Sequence, residues 1–328
     1  MIAIVSVTLK GNFLARILKE NLKSHIYCKS EIKSFKLVEL TRELFEKYKS
    51  IIFISSTGIA VRAIAPYLRG KDKDPAIVVV DVCNNYTISL LSGHIGGANK
   101  LTLQVAKILN NTPVITTATD GLGIIAPDVI ACDNNLEIED LKKAKYISSL
   151  LVNNSIVYFK DDKDLIACPN GYKLTNKVKE NMVWITNKKS NNSYNNDKIL
   201  KLIRKDIILG IGCRKNMDSE KLYNFVLSTI NENNIDLKSI KSIVSVEIKK
   251  DEKAIKDLSD RLNCEFKTFS IDNILKVQHN FEGSSFVEKT IGVKAVCEPC
   301  VFLAGGKIII PKIKFQGITL AIGQLEGV

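Results

Sequence analysis

The run Ile88 to Ala98, ISLLSGHIGGA, concentrates residues that can do chemistry. An apolar strand runs into Ser92, Gly93 and His94, and Gly96 and Gly97 then open a helix. Glycines at such a corner let backbone approach a ligand, and free N–H groups at a helix start attract anions. An imidazole in that loop titrates near neutral pH. The plainer alternative is a tight turn whose histidine only caps the helix. A second corner is Ser55-Ser56-Thr57-Gly58, with Arg62 one turn into the following helix. Its hydroxyls and amides can hold carboxylates and Arg62 can pair with one, although simple N-capping is the commoner use of Ser and Thr there. The third corner is Thr116-Thr117-Ala118-Thr119-Asp120-Gly121. Asp120 can serve as a general base on water with the threonines orienting it, or can merely cap a turn. Each corner follows a strand, which predicts three polar corners on one edge of one sheet.

Two further motifs carry less. Gly210-Ile211-Gly212 follows an apolar run as a dinucleotide loop does, but the third glycine is missing. Cys297-Glu298-Pro299-Cys300 has redox or metal spacing with no second pair to complete a zinc site, so buried apolar thiols are expected. No GxSxG elbow and no HExxH helix occurs, which leaves serine hydrolases and zincins without support.

The elements that must position these corners are α/β in pattern. Strands are predicted at 2–7, 51–55, 77–81, 87–91 and 113–117, with helices near 13–22, 59–68 and 97–109, the alternation of an open parallel sheet. A helix near 140–151 and a strand near 156–159 suggest a small middle unit, and the polar run 187–197, NKKSNNSYNND, reads as a linker or mobile loop. A second strand–helix series follows: strand 207–211, helix 219–231, strand 243–248, helix 252–262 and an antiparallel pair at 308–310 and 318–322. The expected division is an N-terminal open parallel-sheet domain over 1–130, a small middle region and linker over 131–203, and a second C-terminal α/β domain over 204–328.

Composition agrees. The 328 residues are too many for one small core, and no apolar run approaches the roughly 18 residues of a membrane span. The N-terminus reads as a strand rather than a signal peptide, and most of the eight cysteines are scattered singly, so a cytoplasmic protein without membrane association is expected. A net charge of +12 suits an acidic partner. No basic stripe interleaved with aromatics appears, so a polycarboxylate small molecule is expected rather than nucleic acid.

With these residues in view, the chain resembles the cobalt-precorrin-5A hydrolase family of anaerobic cobalamin biosynthesis. The similarity runs through STGIAVRAIAP at 56–66, DPAIVVVD at 74–81, ISLLSGHIGGAN at 88–99 and PVITTATD at 113–120. It resumes in LGIGCRK at 209–215, VSVEIK at 244–249, the stretch from Gly292 to Glu298, and IPKIKFQGITLAIG at 310–323. The resemblance implies hydrolysis of a δ-lactone on a cobalt corrin precursor, with release of acetaldehyde to give cobalt-precorrin-5B. It also implies that cobalt arrives inside the substrate, so that no cofactor and no protein metal site are required. Small residues are usual in the family where Cys297 and Cys300 stand, which favours a packing role for both.

The resemblance supplies no list of catalytic residues, so roles come from the corners. Asp120 or His94 is expected to activate water, and amides at Gly96 and Gly97 or at Thr57 and Gly58 to hold the oxyanion. Arg62, Ser92, Gly93, Asn99, Thr117 and Thr119 are expected to bind substrate, joined from the C-terminal domain by Arg214, Lys215 and Glu298. A non-catalytic corrinoid carrier remains the alternative, a nucleotide-dependent oxidoreductase a more distant one, and a homodimer stays open.

Overall fold

The structure is a computed structural model and describes every residue except 71–72, 190–195, 285–287, 290 and 328. The expected linker at 187–197 therefore falls, over 190–195, outside the described residues. The chain divides into two compact units, Met1–Cys132 and Asp133–Val328.

In the first unit the strands are β1 (Ile2–Ser6), β2 (Ser24–Cys28), β3 (Ser50–Ile54), β4 (Ala76–Val80), β5 (Tyr86–Leu91) and β6 (Thr112–Val114). Its principal helices are α1 (Leu9–Asn21), α2 (Leu37–Lys47), α3 (Thr57–Ile64) and α4 (Ala98–Leu109), followed by the short α5 (Ala118–Gly121) and α6 (Pro127–Asp133). β1, β3 and β4 are near-continuous apolar runs because both of their faces are covered. Ile4, Ile52, Ile54, Val78 and Val80 pack against Leu14 and Leu18 of α1 and Leu101, Val105 and Leu109 of α4. The alternate residues Val5, Ile51, Phe53, Ile77 and Val79 pack against Leu44 of α2 and Ala60 and Ile64 of α3. Each such side chain contributes roughly 1.5–3 kcal/mol on burial, so this double-sided core dominates the unit's stability.

The sheet order is β2-β1-β3-β4-β5-β6. The first four strands are parallel, but β5 pairs antiparallel with β4, Val80 opposite Thr87 and Ile77 opposite Leu91, and β6 pairs parallel with β5. The expected open parallel sheet is thus a mixed one. The reversal is made at Asp81, whose carboxylate accepts from the N–H groups of Asn85 (2.6 Å) and Tyr86 (3.0 Å), with Asn84 at φ 61°. In consequence β5 and β6 end at the edge where the four parallel strands begin.

The second unit holds two five-stranded sheets. The central one is built from β7 (Glu137–Ile138), β8 (Tyr158–Asp161), β9 (Lys173–Leu174), β10 (Met182–Thr186) and β11 (Ile199–Ile203), in the order β7-β11-β10-β8-β9, with helix α7 (Leu141–Val152). The C-terminal sheet, ordered β14-β13-β12-β16-β15, comprises β12 (Ile207–Cys213), β13 (Ile240–Val246), β14 (Glu265–Phe269), β15 (Gly306–Phe315) and β16 (Ile318–Leu325). One face packs on α8 (Ser219–Glu232) and α9 (Lys253–Arg261) through Leu209, Ile211, Ile243, Leu222, Val226 and Ile255. The other face receives α10 (Ile271–Val277) and the helix Cys297–Leu303. The predicted closing pair at 308–310 and 318–322 is found as the antiparallel β15 and β16. Several buried charges are paired: both carboxylate oxygens of Asp161 accept from Arg204 (2.9 and 2.8 Å), and Lys201 donates to Asp236 at 3.0 Å. Removing one member of such a pair strands its partner and costs about 3–5 kcal/mol.

Candidate active site

The reversal of β5 brings two of the three polar corners together. The turn after β5 and the segment after β6 lie side by side at one sheet edge, and three titratable side chains meet there. His94 Nε2 lies 3.0 Å from Asp120 Oδ2, and His94 Nδ1 lies 3.2 Å from Asp128 Oδ1. Asn99, on the first turn of α4, donates from Nδ2 to Asp120 Oδ2 (3.0 Å) and to Thr117 Oγ1 (3.0 Å), while its Oδ1 accepts from Ser89 at 2.6 Å. Thr119 Oγ1 stands 3.5 Å from His94 Nε2. Ser92, Gly93, Asn99, Thr117, Thr119, His94 and Asp120 are therefore one cluster.

Its members differ in access. The side chains of His94 and Asp128 are 13% and 10% exposed, whereas that of Asp120 is 41% exposed. Asp120 Oδ2 takes both donors, so Oδ1 has no hydrogen-bond partner among the described residues. The hydrogen bond that His94 donates to Asp128 raises the His94 pKa above its ordinary value; burial opposes this, and Asp120 adds to the rise. The chemistry available is that of a fixed, open carboxylate backed by an imidazole.

The turn between them is shaped by its glycines. A Cβ on Gly93 would stand 2.7 Å from Asn99 Oδ1, and one on Gly96 would stand 2.8 Å from the Ser92 carbonyl oxygen. Gly97 is the left-handed N-cap of α4, at φ 84°. Its N–H donates to the His94 carbonyl at 2.9 Å, and the next two amides are spent on Ser92 (3.1 Å) and Gly93 (3.0 Å). Gly97 is thus not available to an oxyanion, which corrects the expectation for it; the Gly96 N–H has no acceptor among the described residues. Ser92 is itself left-handed at φ 57°, and its buried Oγ has no partner among the described residues.

The expectation that the Ser55–Gly58 corner joins the other two is corrected. Thr57, Gly58 and Arg62 follow β3, which runs opposite to β5 and β6, so they lie at the far edge, roughly one strand length or 15 Å away. Arg62 is exposed and donates weakly to Gly58 O at 3.4 Å. Arg214 and Glu298 belong to the second unit. Arg214 is held by its backbone N–H to Gly317 O at 3.0 Å and its side chain, like that of Lys215, is exposed. Glu298 is 8% exposed and accepts from Lys312 N at 3.1 Å, with Lys312 Nζ at 3.8 Å, which makes it an internal brace. The GIG run lies inside β12 rather than in a loop, and a Cβ on Gly210 would stand 2.6 Å from Val301 and closer still to the Cys297 carbonyl. Those glycines admit a helix, not a dinucleotide. Cys297 and Cys300 are buried free thiols on that helix, and burial pushes Cys297 up to about 11 and Cys300 higher still. Among the described residues no group of three or more His, Cys, Asp or Glu is placed to hold a metal ion.

Asp128 is the member of the cluster that the sequence reading missed. As an acid in the first turn of α6, beside Pro127, it reads as an ordinary helix-start residue.

An α/β chain whose convergent polar cluster is a carboxylate–imidazole–carboxylate array carries the groups that proton transfer requires. Three family profiles match it in succession: cobalamin synthesis G N-terminal over residues 39–120, cobalamin biosynthesis central region over 125–203, and cobalamin synthesis G C-terminus over 207–323. The chain belongs to the cobalamin synthesis G family. It is 34% identical over 300 residues to the cobalt-precorrin-5A hydrolase of Salmonella typhimurium, covering 86% of this chain and 84% of that protein. The cobalt-precorrin-5A hydrolase of Priestia megaterium is 29% identical over 305 residues, covering 87% of this chain and 81% of that one. A crystal structure of a cobalamin biosynthesis protein G homologue from Sulfolobus solfataricus aligns at 24% identity and a TM-score of 0.42, over 99% of this chain and 97% of that chain.

Proposed function

We propose that this chain is a cobalt-precorrin-5A hydrolase and that Asp120 is its general base. The family assignment supplies the reaction, and the observation that carries the role is the open Oδ1 of a carboxylate whose other oxygen is pinned by His94 and Asn99 at 3.0 Å each. Asp120 Oδ1 takes a proton from water as the oxygen adds to the lactone carbonyl carbon. The displaced electron pair gathers on the carbonyl oxygen, for which the Gly96 N–H, without an acceptor among the described residues, is the proposed donor. Collapse of this adduct leaves a carboxylic acid arm, which then ionises to solvent, and frees the ring oxygen as an alkoxide. That oxygen becomes the aldehyde carbonyl as the carbon–carbon bond to the macrocycle breaks. The bonding pair passes into the macrocycle with the proton that Asp120 held. Water is the sole co-reactant in this balance, so the proposal takes cobalt as part of the substrate and assigns no further cofactor.

The net charge of +12 supports a polycarboxylate partner over nucleic acid. No described helix is long and apolar enough to cross a membrane, and we place the protein in the cytoplasm.

The test is Asp120→Asn. Loss of a general base costs about 10² to 10⁴ in rate. Acetaldehyde trapped per substrate consumed should fall by that factor, with corrinoid affinity kept within roughly tenfold, the signature of lost transition-state stabilisation. Near-normal turnover would remove Asp120 from the mechanism. Wild-type protein that binds the corrinoid and yields no acetaldehyde would select the carrier reading.

A further inference from the structure

We infer that Asp128 is a positioning residue that holds His94 as a doubly donating imidazolium, a strut through which the open carboxylate of Asp120 is kept in one orientation. The inference rests on the reading of Asp120 as the proton acceptor, and it assigns the imidazole a different task from the base.

The argument starts from the ring. Neutral imidazole has one N–H and one lone pair, so between two carboxylates one of its nitrogens would face an acceptor lone pair to lone pair. Both contacts are at hydrogen-bond distance, 3.0 Å to Asp120 and 3.2 Å to Asp128, and only the imidazolium donates to both. The charged groups acting on the ring are Asp128 of α6 and Asp120 of α5, and both favour the proton; the uncharged Thr119 hydroxyl faces Nε2. Burial works against the charge, yet the net displacement is still upward. Asp128 benefits in turn: its carboxylate, 10% exposed, also accepts from the Val129 N–H at 3.1 Å and gains a cationic neighbour in the imidazolium.

With both nitrogens engaged and the ring 13% exposed, His94 has no lone pair to offer a water. It fixes Asp120 Oδ2 instead, with Asn99 as the second donor, and so aims Oδ1. Asp128 never touches substrate in this arrangement. It acts by choosing the protonation state of the strut.

Asp128→Asn keeps the shape and removes the charge. The chain has three histidines, His25, His94 and His279, so ring resonances are few enough to assign, with His94→Gln identifying the one in question. In Asp128→Asn the His94 titration should move to lower pH by about one unit or more, the size of a tenfold change in proton affinity. The alkaline limb of the kcat/KM profile should move with it, while turnover below that limb approaches the wild-type value. Asp128→Glu, which restores the charge, should keep both high. A further readout leaves position 128 untouched: Asp120→Asn should also lower the titration, but less, because that carboxylate is the more exposed of the two. A His94 titration at the same pH in wild type and Asp128→Asn would overturn the strut. So would a uniform loss of turnover with no displacement of the pH profile, the mark of a merely structural residue. The titration needs no substrate, so a strut confirmed in protein that releases no acetaldehyde would count against the hydrolase reading alone.

Discussion

Gly96→Ala and Gly97→Ala separate two reasons for a glycine at adjacent positions of the active-site turn. At Gly96 the obstacle is space. The added Cβ would stand 2.8 Å from the Ser92 carbonyl oxygen and closer still to Ser92 Cβ. Relaxed carbon–oxygen contacts begin at about 3.3 Å, so the turn must open by at least roughly 0.5 Å against backbone that cannot rotate away. His94 lies two residues before Gly96 inside the same turn, whose carbonyl at Ser92 also receives the Ala98 N–H at 3.1 Å. A displacement approaching 1 Å at the strut carries over to Asp120, and misplacement of that order costs about 10²-fold in rate. Overpacking of this kind costs about 1–3 kcal/mol in stability, which a domain of this size survives. At Gly97 there is open space, and the obstacle is the left-handed backbone at φ 84°. An alanine there costs about 1–2 kcal/mol with no push on its neighbours. The two variants should therefore lose similar stability in urea melts, while acetaldehyde release falls about a hundredfold in Gly96→Ala and far less in Gly97→Ala. Equal turnover in the two, or normal turnover in Gly96→Ala, would refute the steric argument.

Ser92→Gly should stabilise the protein by about 1 kcal/mol, because it relieves a left-handed L-residue at φ 57° and deletes a buried hydroxyl that has no partner among the described residues. A urea midpoint at or below wild type would show that the turn is not strained. The double variant Cys297→Ala, Cys300→Ala should keep its turnover and lose about 1 kcal/mol per site, as for a buried methyl-sized group, since both thiols are buried in the packing of the C-terminal sheet. Stoichiometric zinc in the wild type, or a folded but inactive double variant, would contradict that.

Much of the fold was legible because burial on two faces leaves long apolar runs. Ile51 to Ile54 and Ala76 to Val80 read as central strands for that reason, and Ile207 to Ile211 did likewise. The edge strand Ser24–Cys28 (SHIYC) did not, because one side of it faces solvent and polar residues break the pattern. β10 and β11 flank the polar run 187–197 and were hidden beside it. The helix Cys297–Leu303 was obscured by its own CEPC spacing, which drew attention to thiol chemistry instead of to the glycines beneath it.

Strand direction is the instructive case. A strand's own residues do not encode whether it runs with or against its neighbour, so three corners after three strands looked like three corners on one edge. The signal was in the connection. Only the five residues from Asp81 to Asn85 separate β4 from β5, and a parallel crossover needs about a dozen or more, so the pair had to be antiparallel. That short link carries Thr57, Gly58 and Arg62 away from the site and leaves His94 and Asp120 together. Asp128 had no comparable signal. Its part depends on α5 and α6 bringing two carboxylates to opposite nitrogens of one ring, a relation between residues 94, 120 and 128 that no local spacing expresses. The carboxylate proposed as base could be named from a strand end, whereas the residue proposed to set its partner's charge emerges only when the chain is folded.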